Sequence, residues 1–155
     1  MDEGMTPAPA ARVDELLSAL EALDAGNSHL TGRFADSLGI GGTDLRALVF
    51  VARAGGEATP KRTAEFLELS TGATTSVLDR VAAAGLIARA PHPTDRRSIR
   101  LVLSPAGAEA IERIYGTYLE ALHEAVEPAD VPRVAAAFRA IGEALVRRAG
   151  GQPSA

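Results

Sequence analysis

The segment Leu69–Leu103 reads LSTGATTSVLDRVAAAGLIARAPHPTDRRSIRLVL, and its internal change of rhythm decides the fold. Ser70 is suited to an N-cap, because its hydroxyl can accept a hydrogen bond from a backbone N–H left free at a helix start. Ala73, Val77, Leu78, Val81 and Ala84 then fall on one face at helical spacing. Gly85 stands where a left-handed residue ends a helix. The opposite face carries Thr71, Gly72, Thr75, Ser76, Asp79 and Arg80, all small or polar, while Thr74 is expected to pack inward. Beyond Gly85 the pattern becomes that of strands, Leu86–Ala90 and Ile99–Leu103, joined by a loop with Pro91, Pro93 and the pair Arg96-Arg97. A helix with a slim polar face, followed by a hairpin tipped with arginines, points to DNA recognition.

Outward from this segment, the chain reads as helices. Residues 1–10, with Gly4, Pro7 and Pro9, form a loose arm. Val13, Leu16, Leu17, Leu20 and Leu23 mark an amphipathic helix, and Leu30, Phe34 and Leu38 resume its spacing. Gly26-Asn27-Ser28 either interrupts that helix or is a weak point within one long helix; the continued spacing favours the second. Thr43 or Asp44 caps a second helix with Leu45, Leu48, Val49 and Ala52 inward, closing at Gly55-Gly56. Thr59-Pro60 opens a third with Ala64, Phe66, Leu67 and Leu69 as its apolar members, since proline at the first helical position loses no hydrogen bond. The short turn to Ser70 makes the third and fourth helices a helix-turn-helix. Ser104-Pro105 starts a helix striped by Ala108, Ile111, Ile114, Tyr115, Tyr118, Leu119 and Leu122, and a last helix carries Val131, Val134, Ala135, Phe138, Ile141, Leu145 and Val146. The fold class is mainly α with a small β-hairpin wing. The expected organisation is an arm (1–10), an N-terminal dimerisation helix (11–42), a winged helix-turn-helix module (43–103), C-terminal dimerisation helices (104–149) and a tail (150–155).

Composition narrows the function. The 155 residues carry a net charge of −4, which by itself speaks against a nucleic-acid partner. Its distribution reverses that reading: residues 43–103 hold nine Arg/Lys against six Asp/Glu, a local +3, while both flanks are acidic. The absence of cysteine excludes disulfides, thiolate metal sites and cysteine-based redox sensing, and three scattered histidines make no transition-metal site. No apolar run approaches the ~20 residues that span a bilayer, and the acidic N-terminus is no secretory signal. A cytoplasmic protein without membrane or cofactor is expected. There is no phosphate-binding glycine loop and no zinc-protease motif, so an enzyme is not expected.

At this point the pattern resembles the MarR family of winged helix-turn-helix transcriptional regulators. The resemblance rests on Leu67-Glu68-Leu69-Ser70, on Leu78-Asp79-Arg80-Val81 with Gly85-Leu86-Ile87, and above all on Asp95-Arg96-Arg97-Ser98 running into Leu103-Ser104-Pro105-Ala106-Gly107. It implies a symmetric homodimer built from the first helix and the last two, with recognition helices in successive major grooves of palindromic double-stranded DNA and wings in the adjacent minor grooves. It further implies a repressor released by a small aromatic or anionic effector. Two departures stand out. Glu68 occupies a position where glycine is usual, and Gly72, with no basic residue on the exposed face before Arg80, leaves the recognition helix poor in strong base-reading groups.

The candidate contacts follow. Arg97 suits a narrow, A·T-rich minor groove, where negative potential is greatest; by the resemblance Asp95 holds it extended and Arg96 is its neighbouring contact. Thr71, Gly72, Thr75 and Ser76 face the major groove, where hydroxyls can bond base edges and threonine methyls can touch thymine methyls. Lys61, Arg62 and Arg80 are candidates for phosphate contacts, which set position rather than sequence. The family places its effector between the DNA-binding module and the dimerisation helices, and His29, Phe34, Arg46, Phe50 and Tyr115 are candidates there because they offer rings, a cation and hydrogen bonds. The competing reading is a winged helix used for protein contact, with DNA binding lost.

Overall fold

A computed structural model describes residues 9–91 and 98–150. Six helices and one hairpin follow in the order α1 (Pro9–Leu38), α2 (Gly42–Arg53), α3 (Pro60–Leu67), α4 (Thr71–Ala83), β1 (Ile87–Pro91), β2 (Ile99–Leu103), α5 (Pro105–Ala125) and α6 (Val131–Gly150). The chain divides into two compact units between Glu112 and Arg113.

Helix α1 is continuous through Gly26 and begins at Pro9, inside the expected arm. Gly26 lowers helix propensity by about 1 kcal/mol, too little to break a helix of 30 residues. At the weak point the Thr31 hydroxyl donates to the carbonyls of Asn27 (2.8 Å) and Ser28 (3.1 Å).

Three helices in the first unit end in the same way. Each closes with a left-handed residue, whose N–H bonds a carbonyl three residues back, while the following N–H bonds one five back. For α1 the pair is Gly39 to Asp36 and Ile40 to Ala35; for α4 it is Gly85 to Ala82 and Leu86 to Val81. For α3 it is Glu68 to Glu65 and Leu69 to Ala64, with Glu68 at φ 57° and ψ 40°. This is the physical reason glycine suits position 68. A left-handed conformation costs an L-residue about 1–2 kcal/mol, whereas glycine's extra chain entropy costs roughly 0.5–1. Glu68→Gly is therefore expected to stabilise the protein by about 0.5–1 kcal/mol, read as a thermal midpoint raised by about 1–4 °C. A lowered midpoint would show that Glu68 makes a compensating contact.

The start of α2 differs from expectation. Its N-cap is Gly41, and Asp44 lies in the first turn with its carboxylate turned back to accept the Gly41 N–H at 3.1 Å. The buried face is Asp44, Leu45, Ala47, Leu48 and Val51, whereas Val49 and Ala52, expected inside, are only half-buried. In α3 the inward residues are Thr63 and Leu67, and Phe66 is 43% exposed. Thr63 tolerates complete burial because its hydroxyl donates to the Thr59 carbonyl at 2.9 Å. Likewise Thr74 is buried in α4, donating to the Ser70 carbonyl at 2.9 Å, beside Val77, Leu78 and Val81. Ala73 and Ala84, placed on that face by spacing alone, are exposed.

The strands pair antiparallel in the register Ile87↔Leu103 to Pro91↔Ile99, one residue later in β1 than expected. Leu101, fully buried, donates its N–H to the Ala58 carbonyl at 2.8 Å, so the α2–α3 connection backs the hairpin. At the hairpin's exit the Ser104 hydroxyl donates to the Gly85 carbonyl (2.5 Å) and accepts the Gly107 N–H (3.0 Å), while the Ser104 N–H bonds the Leu86 carbonyl (3.0 Å). The end of α4, the hairpin and the start of α5 are thus tied at one serine. Beyond Glu112, the remainder of α5 and α6 form the second unit, whose Tyr115, Leu119, Phe138, Leu145 and Val146 are exposed.

Candidate nucleic-acid interface

Helix α4 presents Thr71, Gly72, Thr75 and Ser76 to solvent, as its polar spacing requires once Val77, Leu78 and Val81 are buried. Ser70 caps it, accepting the Ala73 N–H at 3.3 Å. The Thr75 hydroxyl donates to the Thr71 carbonyl (2.9 Å) and that of Ser76 to the Gly72 carbonyl (3.2 Å). Each hydroxyl is satisfied along its own helix yet keeps acceptor lone pairs outward. A Cβ added at Gly72 would meet nothing within 4 Å, so the glycine leaves a bare patch of backbone at the first turn. Beside it, an open groove of about 660 Å³ runs between α3 and α4, lined among others by Lys61, Glu65, Glu68, Thr71 and Thr75.

The predicted cations differ in their surroundings. Lys61 is exposed at the start of α3. Arg62 is also exposed, and one guanidinium nitrogen donates to the Glu57 carbonyl at 2.8 Å. Arg80 grips Asp44 with two nitrogens: Nε lies 2.9 Å from Oδ2 and Nη2 lies 2.6 Å from Oδ1. The arginine side chain is 56% exposed while that of Asp44 is 3% exposed, so the pair joins a buried anion to a cation whose rim reaches solvent. Burial alone would raise the Asp44 carboxyl pKa; the hydrogen bonds from Arg80 and the Gly41 N–H, with the arginine's charge, outweigh it and hold the pKa below the ordinary carboxylate value. The wing residues Asp95, Arg96 and Arg97 lie outside the described residues.

Of the effector candidates, Arg46 and Phe50 are brought together around Phe66, which spacing had placed in the core. The rings of Phe50 and Phe66 stack with centroids 4.7 Å apart, and the Arg46 guanidinium carbon lies 5.9 Å from the centroid of the Phe66 ring. His29 is exposed and Phe34 half-buried on α1, and Tyr115 belongs to the second unit. Among the described residues no group of three or more His, Asp or Glu could hold a metal ion, and no helix is long and apolar enough to cross a membrane.

Three features of this surface escaped sequence reasoning. Asp44 and Arg80 are 36 residues apart, and nothing local marks them as partners. Arg89 of β1 pairs with Asp79 of α4 at 2.7 Å, bracing the hairpin against the recognition helix. Among the described residues, the buried Nε of Arg100 has no hydrogen-bond partner, and its Nη1 would lie 3.9 Å from a Cβ at Gly56. Alternation along β2 was the only available signal for Arg100, and it does not reveal what lies opposite.

Comparison with known proteins places this geometry. A family model described as the MarR family matches residues 38–98. The multiple antibiotic resistance protein MarR of Salmonella typhimurium is 32% identical over 96 residues, covering 62% of this chain and 66% of that protein. The chain thus spans slightly less than two thirds of the length of the curated relatives it matches. Among solved structures, RV1404 of Mycobacterium tuberculosis is similar with a TM-score of 0.63 and 27% identity, over 97% of this chain and 99% of the other. A MarR family transcription regulator gives a TM-score of 0.69 at 23% identity, over 94% and 100%. The MepR of S. aureus, solved as a DNA complex, gives 0.57 at 14% identity, over 78% and 98%.

Proposed function

This chain belongs to the MarR family, and from that premise we propose that it regulates transcription by binding palindromic DNA as a homodimer. The observation that carries the reading is the exposed face of α4. Thr71, Thr75 and Ser76 offer hydroxyls there, and Gly72 removes the side chain that would hold the helix away from base edges. The similarity to a regulator solved with DNA supports it. In this reading Arg97 enters the minor groove with Asp95 holding it extended, Arg96 is the neighbouring phosphate or groove contact, and Lys61, Arg62 and the outer rim of Arg80 meet phosphate. With so few strong base-reading groups, specificity comes largely from DNA shape.

The dimer is supported by bare apolar faces at both ends of the chain. Val13, Leu16, Leu17, Leu20 and Leu23 of α1 are 38–65% exposed, and Phe138, Ile141, Leu145 and Val146 of α6 are 39–72% exposed. Contiguous apolar stripes of this kind are interaction surfaces, and a second copy is the partner a palindromic operator calls for. The protein acts as a repressor released by a small aromatic or anionic effector. The Arg46–Phe66–Phe50 cluster supports that part, since it sets a cation beside stacked rings; His29, Phe34 and Tyr115 are the further candidates.

The test is DNA binding titrated in salt. A dimer neutralising six to ten phosphates loses about 10³–10⁵ in affinity between 50 and 200 mM salt, and a loss of that order is expected on the promoter next to its own gene. Binding that is absent at low salt, or indifferent to salt, would sink the DNA reading and favour a winged helix that docks on protein.

A further inference from the structure

The joint between α1 and α2 is Gly39-Ile40-Gly41-Gly42, three glycines in four residues. Gly39 is left-handed at φ 65°, and a Cβ added at Gly42 would meet nothing within 4 Å. A connection with so few side chains has little stiffness of its own. Beside it lies a buried carboxylate that links the joint to α4. Asp44 Oδ2 accepts the Gly41 N–H at 3.1 Å and Arg80 Nε at 2.9 Å, and Oδ1 accepts Arg80 Nη2 at 2.6 Å. Gly41 follows Ile40, whose N–H is bonded to Ala35 inside α1. One buried anion therefore ties the N-cap of α2, the residue after the Ile40 that closes α1, to the later part of α4.

The burial of this carboxylate gives the tie its rigidity. An exposed ion pair is worth little and tolerates many geometries. A carboxylate that is 3% exposed has no water to replace a lost partner, so the bidentate arrangement is held in one orientation. Arg80 Nε and Nη2 form a planar fork, which sets the angle at which α4 meets the joint.

We propose that Asp44 is a positioning residue for operator recognition: by fixing the angle between α1 and α4, it sets the half-site spacing that the dimer accepts. The inference rests on the dimeric regulator reading above. Half-site centres one turn apart put each recognition helix about 17 Å from the dyad. Thr71 lies nine residues before Arg80 on α4, about 13 Å along the helix, so a pivot of about 15° at the joint moves it by about 3 Å, close to the rise of one base pair. A rigid joint rejects an operator longer or shorter by one pair, and a loose joint accepts it.

The experiment uses full-length protein and a palindromic duplex enriched on it from a random pool, with versions lengthened or shortened by one central base pair. The wild type is expected to prefer its own spacing by about tenfold, because a one-pair change rotates the half-sites by roughly 35° and must be met by deforming DNA. In Asp44→Asn the amide nitrogen cannot accept from Arg80, and the preference is expected to fall below about threefold. Arg80→Lys keeps the charge and the Gly41 cap yet loses the planar fork; it should show the same flattening to a smaller degree, and carries the test if Asp44→Asn is unfolded by circular dichroism. Loss of a phosphate contact would weaken all three duplexes equally, so the ratio isolates positioning. A folded Asp44→Asn or Arg80→Lys protein that keeps the wild-type ratio overturns the inference, as does a wild type indifferent to spacing. A wild type from which no duplex can be enriched overturns the regulator reading instead.

Discussion

Gly107→Ala is expected to lower stability by about 3 kcal/mol, at the upper end of ordinary overpacking. A Cβ built on Gly107 lies 1.9 Å from the Leu86 carbonyl oxygen and 2.9 Å from its carbon. Both atoms are backbone, and no rotamer change can move them aside. The Leu86 oxygen is also the acceptor for the Ser104 N–H, so displacing it breaks the tie between hairpin and helix. Ala110 and Ile111, one turn further along α5, are buried, and sliding the helix away would uncover them. Either response is costly, so the substitution destabilises. A fall of about 6–12 °C in thermal midpoint is the expected reading for a protein of this size. Gly26→Ala is the control: a Cβ there meets nothing within 4 Å, and helix propensity alone favours alanine by about 1 kcal/mol. Equal midpoints for Gly107→Ala and wild type would mean that α5 does not start against Leu86 as described.

Arg97→Ala is expected to weaken operator binding by about 1–3 kcal/mol, or roughly 5- to 150-fold. In the sequence Arg97 stands two positions before Ile99, which pairs with Pro91 in the hairpin that Arg89 braces against Asp79 of α4. A guanidinium in a narrow minor groove is poorly replaced by water, because the potential there is strongest where the walls are closest. The loss should therefore shrink when the flanking A·T pairs are changed to G·C, which separates groove insertion from simple phosphate attraction. Fluorescence anisotropy on the two operators at one fixed salt concentration reads both effects. Undiminished affinity on the A·T-rich duplex would end the wing assignment.

Much of the frame was legible in the chain because it is locally encoded. Ser70, Gly85, Thr59-Pro60 and Ser104-Pro105 each act within a turn or two of themselves, and the helix boundaries follow them closely. The polar face of α4 was legible for the same reason: Thr71, Gly72, Thr75 and Ser76 are what remains exposed once Val77, Leu78 and Val81 turn inward. Spacing misjudged small and amphipathic residues. Ala73 and Ala84 gain little by burial and are exposed, Thr63 is buried because a carbonyl four residues back satisfies its hydroxyl, and Phe66 spends its ring on Phe50 at the surface, whereas Thr74 packs inward as expected.

By itself, then, the sequence determined the order of elements, the exposed polar face of α4 and the place of the hairpin, since periodicity and caps are properties of neighbours along the chain. Only the tertiary structure decided which distant groups meet. Asp44 read as a helix cap; folded, it is the buried partner of Arg80. Gly107 read as part of a motif; folded, it is the point where α5 lies against the backbone of Leu86. Both outcomes depend on how separate elements pack, and a pair 36 residues apart leaves no periodic trace in the chain.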